Sequence, residues 1–184
     1  VEQILASHSL VEGTMELPDV VGIVKALSGR NRRSEVSKYP EVLESLEPDA
    51  LRELGERYLQ QTRIQRKTDA PYFIDKLPLN FFYLGLIKLA LPNAKLICLR
   101  RDPMDTCLSN YRQLFGANFK YYHYNYDLLD CGRYYLEFDR LIRHWHEVMP
   151  GAVFEVQYEA LVTNPRQVAK NLLAHCELPW ENQC

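Results

Sequence analysis

Arg101 and Ser109, eight positions apart, bracket the segment of this sequence best suited to holding an anion. A guanidinium presents a planar fork of donors, and a serine hydroxyl is a small donor that rotates to suit its partner. Between them, Asp102-Pro103 reads as a helix N-cap followed by proline at the first helical position. The apolar run from Lys95 to Leu99, which stops at Arg100, reads as a buried strand. A strand feeding a helix in this way sets Arg101 near the strand's carboxyl end, where open α/β sheets bind ligands, and the helix N-terminus adds partial positive charge. The chemistry this suits is phosphate binding. The spacing fits two ordinary solvated residues equally well.

The elements that must position this pair follow from periodicity. Met104, Cys107, Leu108, Tyr111, Leu114 and Phe115 recur at helical spacing and predict a core-facing stripe, with Ser109 on a different face alongside Asp102, Asp105 and Arg112. Further strands are expected at Pro71 to Ile74 and Ala152 to Gln157. Helices are expected over 1–8, 16–27, 48–66, 80–91 and 127–148, with a last one after Asn164-Pro165 running to about His175. Ser9 to Thr14 reads as a loop. Strands alternating with helices predict an α/β domain with a parallel sheet.

Two other segments invite a chemical reading. Gly29 to Ser34 is a basic loop that could meet an anionic substrate or be a solvated turn, and Lys120 to Tyr126 interleaves four tyrosines with a histidine, as a packed aromatic loop or an acceptor pocket would. His144 and His146 are two apart and cannot face one metal from a single helix.

At 184 residues and 47% hydrophobic content, the chain suffices for one domain over 1–184. A net charge of −2 argues against a broad nucleic-acid surface. Five cysteines without CxxC or zinc-type spacing point to neither a disulfide framework nor a metal site, and Cys98 and Cys107 read as small buried hydrophobes. A reducing, cytoplasmic compartment is expected, and no apolar run is long enough to span a bilayer.

Six segments, in order, resemble the sulfotransferases that use 3′-phosphoadenosine 5′-phosphosulfate (PAPS). They are residues 1–8, Glu16-Leu17-Pro18, Asp75-Lys76-Leu77-Pro78, the Arg101 to Ser109 unit, His144-Trp145, and Tyr158-Glu159-Ala160-Leu161 followed by Asn164-Pro165. The likeness is to the branch that includes tyrosylprotein sulfotransferases and bacterial proteins in which tetratricopeptide repeats precede such a domain.

The resemblance implies a P-loop NTPase-like three-layer α/β sandwich with a parallel central sheet. It matches Arg101 and Ser109 to the holders of the cofactor's 3′-phosphate, and Tyr158 to a position near its adenine. Lys76 matches a lysine beside the transferred sulfuryl group, and Glu16 the general base, with His8 as the alternative base. As the residues stand, Lys76 could equally be a strand-end lysine and Glu16 a helix-start residue.

The resemblance also implies that the chain is a fragment, cut at both ends, without the first strand and its phosphosulfate-binding loop, and so of reduced activity. The expected reaction is metal-free transfer from PAPS to a hydroxyl or amine of a peptide tyrosine, carbohydrate or small metabolite. The alternatives are a P-loop kinase or NTPase relative, against which the lack of GxxxxGK[ST] counts, and a catalytically dead binding module.

Overall fold

The computed structural model describes residues 1–30, 32, 34–113, 115 and 120–184. Asn31 and Arg33 of the basic loop and Leu114 of the helical stripe lie outside them. The chain forms two compact units, Val1–Ala94 with Pro179–Cys184, and Lys95–Leu178.

The first unit opens with helix α1 (Glu2–Ala6) and strand β1 (Val11–Gly13), which runs parallel to β2 (Tyr72–Ile74) in the register Val11↔Tyr72, Gly13↔Ile74. β1 falls where the sequence predicts a loop. A three-residue strand with glutamate in the middle has no legible alternation, and Glu12 is tolerated there because its buried carboxylate accepts the Lys67 and Thr68 N–H groups and the Thr68 hydroxyl. Helix α2 (Asp19–Leu27) starts after Pro18, which occupies its N-cap, so Glu16 lies in the preceding coil rather than in the helix.

Helix α3 (Pro48–Thr62) ends before the expected Arg66 and passes into a 3-10 turn at Arg63–Gln65. The stretch expected as one helix from Asn80 is a 3-10 segment, Pro78–Tyr83, leading into α4 (Leu84–Ala90). Val20, Ile23, Tyr58 and Leu86 form the core, with Leu54, Phe73 and Ile87 packed on it. The approach of α3 to α4 requires Gly55, where a Cβ would lie 2.0 Å from the Ala90 carbonyl oxygen.

The second unit is built on β3 (Leu96–Arg100) and β4 (Val153–Gln157), again parallel, with Cys98 opposite Glu155. Around them lie helices α5 (Pro103–Arg112), α6 (Leu128–Val148), α7 (Tyr158–Thr163) and α8 (Pro165–His175). Neighbouring side chains on a strand point to opposite faces. Phe154 stacks on His175 of α8 at 4.8 Å, and Glu155 meets His146 of α6 at 3.0 Å, so the pair of strands carries helices on both faces. Arg100 reaches from β3 to Asp139 and Tyr135 on α6.

The stripe predicted on α5 is corrected by the structure. Cys107 is buried, but Met104 is 74% exposed and Leu108 and Tyr111 are also solvent-facing; the covered side runs instead through Thr106, Cys107 and Asn110. The helix meets α6 along a line rotated from its apolar face, and that rotation is decided by tertiary packing. Asn164 precedes α8 without making a side-chain cap bond. All strand pairing among the described residues is parallel, giving the expected α/β architecture. Among those residues no helix is long and apolar enough to cross a membrane.

Candidate functional site

In the first unit the parallel register of β1 and β2 brings together two residues sixty positions apart in sequence. Both strands end at the Gly13↔Ile74 pair, and the coil beyond each carries Glu16 and Lys76. The Lys76 ammonium donates to Glu16 Oε1 at 2.7 Å, with both side chains about half exposed. A carboxylate and an ammonium at the carboxyl ends of adjacent strands are a proton acceptor and an electrostatic stabiliser within reach of one bound molecule.

Their backbones are stitched from both sides. The Thr14 hydroxyl donates to the Ile74 carbonyl at 2.5 Å. Asp75 accepts from the Tyr58 hydroxyl at 2.7 Å and from Asn80 Nδ2 at 3.2 Å. Burial pushes the Asp75 carboxyl above its ordinary value, against the pull of those donors. Burial also raises the Tyr58 phenol, and the Asp75 charge raises it further.

His8, the alternative base, is 2% exposed and has both ring nitrogens engaged. Nδ1 faces the Leu10 N–H at 3.1 Å, which can only donate, so the proton is on Nε2 and is donated to the Pro179 carbonyl at 3.0 Å. With Ser9 bonded through its N–H and hydroxyl to Glu181, this ring ties the end of α1 to the Pro179–Cys184 segment.

In the second unit, Arg101 and Tyr158 come together, the guanidinium 5.1 Å from the ring centroid. Arg101 Nη2 donates to Asp105 Oδ2 at 2.8 Å, while Nε is buried without a partner among the described residues. Asp102 caps α5 by accepting the Met104 and Asp105 N–H groups, and its own N–H donates to Glu159, which joins the starts of α5 and α7. This revises one expectation: the N–H groups of the first turn are spent on Asp102, so any anion here rests on side chains and not on the helix terminus. Ser109 is exposed on α5, about 9 Å along the axis from Pro103.

A family model described as "Sulfotransferase family" matches residues 1–182. The chain belongs to the sulfotransferase family. A protein of Aquifex aeolicus (strain VF5), described only as uncharacterized, is 38% identical over 186 residues, covering 99% of this chain and 24% of its own length. The chain therefore spans about a quarter of that relative. The solved structure "Sulfotransferase Domain from the Curacin Biosynthetic Pathway" matches with a TM-score of 0.60 at 17% identity, over 99% of this chain and 70% of that one, which shows a shared sulfotransferase fold.

Three residues that hold these candidate side chains, two in the first unit and one in the second, escape a sequence reading. Asp75 sits inside a matched motif yet shows its anchoring only through Tyr58. Thr14 lies in coil as its sequence reads, but its bond to Ile74 depends on the pairing of β1 with β2. Asp105, four residues after Arg101, carried a legible i,i+4 pairing signal.

Proposed function

We propose that this chain transfers a sulfuryl group from PAPS to an acceptor hydroxyl or amine. The observation that carries the reading is the Glu16–Lys76 pair at the ends of two parallel strands in a chain of this family. Glu16 takes the acceptor proton while the acceptor oxygen or nitrogen bonds to sulfur. The bond from sulfur to the 5′-phosphate oxygen breaks, and Lys76 stabilises the charge left on that oxygen as adenosine 3′,5′-bisphosphate departs. A positioned base typically contributes about 10²- to 10⁴-fold in rate.

Arg101, whose side chain is 40% exposed, and Ser109 suit the 3′-phosphate. Tyr158, whose ring lies against the Arg101 guanidinium, is assigned to the adenine end of the donor by its match to the family. Glu16 is favoured over His8 because it is half exposed and pairs with Lys76, whereas the histidine is buried with both nitrogens spent.

The test is transfer from radiolabelled PAPS to a pool of tyrosine peptides, carbohydrates and small phenols and amines, using the full-length protein. Transfer that is lost in Glu16→Gln is the expected result. Calorimetry with adenosine 3′,5′-bisphosphate against ATP separates this reading from a kinase, since tighter ATP binding would overturn it. Bisphosphate binding without transfer to any acceptor would point to a binding module.

A further inference from the structure

From the Tyr58–Asp75–Asn80 cluster we infer that Asp75 is the positioning residue for the Glu16–Lys76 pair, an assignment that rests on the transfer roles proposed for those two residues. Exposed ion pairs are too weak to fix two long, flexible side chains by themselves. Here the geometry is set one bond away from each. Asp75 directly precedes Lys76, and its carboxylate faces the backbone N–H of Leu17, which directly follows Glu16. Leu17 is itself 1% exposed, which pins the coil that presents Glu16.

The carboxylate is anchored from the core side. Oδ2 takes the hydroxyl of Tyr58, a residue packed among Val20, Ile23 and Leu86, and Oδ1 takes Asn80. Among the described residues, the charged groups that act on this cluster are Asp19 at the start of α2, whose like charge disfavours ionisation of both Asp75 and Tyr58, and Arg66, whose opposite charge favours ionisation of Tyr58. A half-buried carboxylate held by neutral donors is an expensive way to fasten a strand end, because burial disfavours its charge. It delivers something an apolar contact cannot: one rigid group bonded to the core, adjoining Lys76 by its own peptide bond and reaching the Glu16 segment.

The experiment reads Lys76 directly. Amine labelling with acetic anhydride, quantified by mass spectrometry, is compared in wild type, Asp75→Asn, Tyr58→Phe and Glu16→Gln, with Lys88 and Lys95 as internal standards. Release of the pair is expected to raise Lys76 labelling by about two- to fivefold in Asp75→Asn, as in Glu16→Gln, the factor an exposed ion pair supports. Tyr58→Phe, which keeps its ring, moves it in the same direction and serves if Asp75→Asn fails to fold. In turnover assays kcat falls and KM for PAPS holds.

Unchanged Lys76 labelling in both variants overturns the positioning role, as does a rise shared equally by all three lysines, which reports general loosening. Wild-type turnover in Glu16→Gln overturns the transfer role beneath the assignment and leaves the labelling result standing.

Discussion

The Arg101 anchor can be tested by two substitutions with opposite signs. Arg101 is 40% exposed and already bonded to Asp105, itself 55% exposed. A charge-assisted hydrogen bond contributes about 1.5–3 kcal/mol. Solvent access places this one at the lower end, so Arg101→Ala is expected to weaken adenosine 3′,5′-bisphosphate binding by about tenfold, at roughly 1.4 kcal/mol per decade. Asp105 competes with the ligand for the same nitrogen. An exposed i,i+4 pair is worth about 0.3–0.5 kcal/mol, so Asp105→Asn should tighten the bisphosphate by about twofold.

Calorimetry with adenosine 5′-monophosphate in parallel supplies the control, because without a 3′-phosphate neither substitution should matter. Equal losses for both nucleotides in Arg101→Ala would refute the assignment to the 3′-phosphate. Weaker bisphosphate binding in Asp105→Asn would refute the competition and make Asp105 a support for the guanidinium.

Gly55→Ala gains about 1 kcal/mol of helix propensity, yet it drives a Cβ onto the Ala90 carbonyl, and overpacking typically costs about 1–3 kcal/mol. A net loss in denaturant unfolding is expected, and stabilisation would mean α3 and α4 are farther apart. The Thr68 hydroxyl and then the Lys67 N–H hold the Glu12 carboxyl below its ordinary value of 4.5. Its stabilising contribution is therefore complete above that value and lost as pH falls through the lowered one, so Glu12→Gln should destabilise at pH 7 by more than it does at pH 3. A constant difference between the two pH values would contradict this. Asn125 is fully buried with both amide atoms lacking partners among the described residues, so Asn125→Leu should raise stability by about 1–3 kcal/mol. A fall in melting temperature would show that the amide is bonded in solution.

The better-read parts of this chain are those where local chemistry and tertiary structure agree. Asp102-Pro103 caps α5 as its residue types demand, and the β3 and β4 runs are apolar enough to announce themselves. What stayed hidden was decided at a distance. β1 depends on Thr68 and Lys67 satisfying Glu12, and the exposed side of α5 depends on where α6 crosses it. The site divides likewise. Its residue types stand out as motifs, whereas the pairing of Glu16 with Lys76 is a property of strand register, and the engagement of His8 required sight of Pro179.

That last contact also bears on the order in which the chain is completed. The second unit is one continuous stretch and can close as soon as it has been synthesised. The first unit is interrupted: the ring of His8 waits for Pro179, a partner 171 residues later. Loop-closure entropy makes such a bond late and slow to form. During synthesis the half that carries Glu16 and Lys76 therefore gains its last segment, and with it the His8 bond, only after the whole of the second unit has been made.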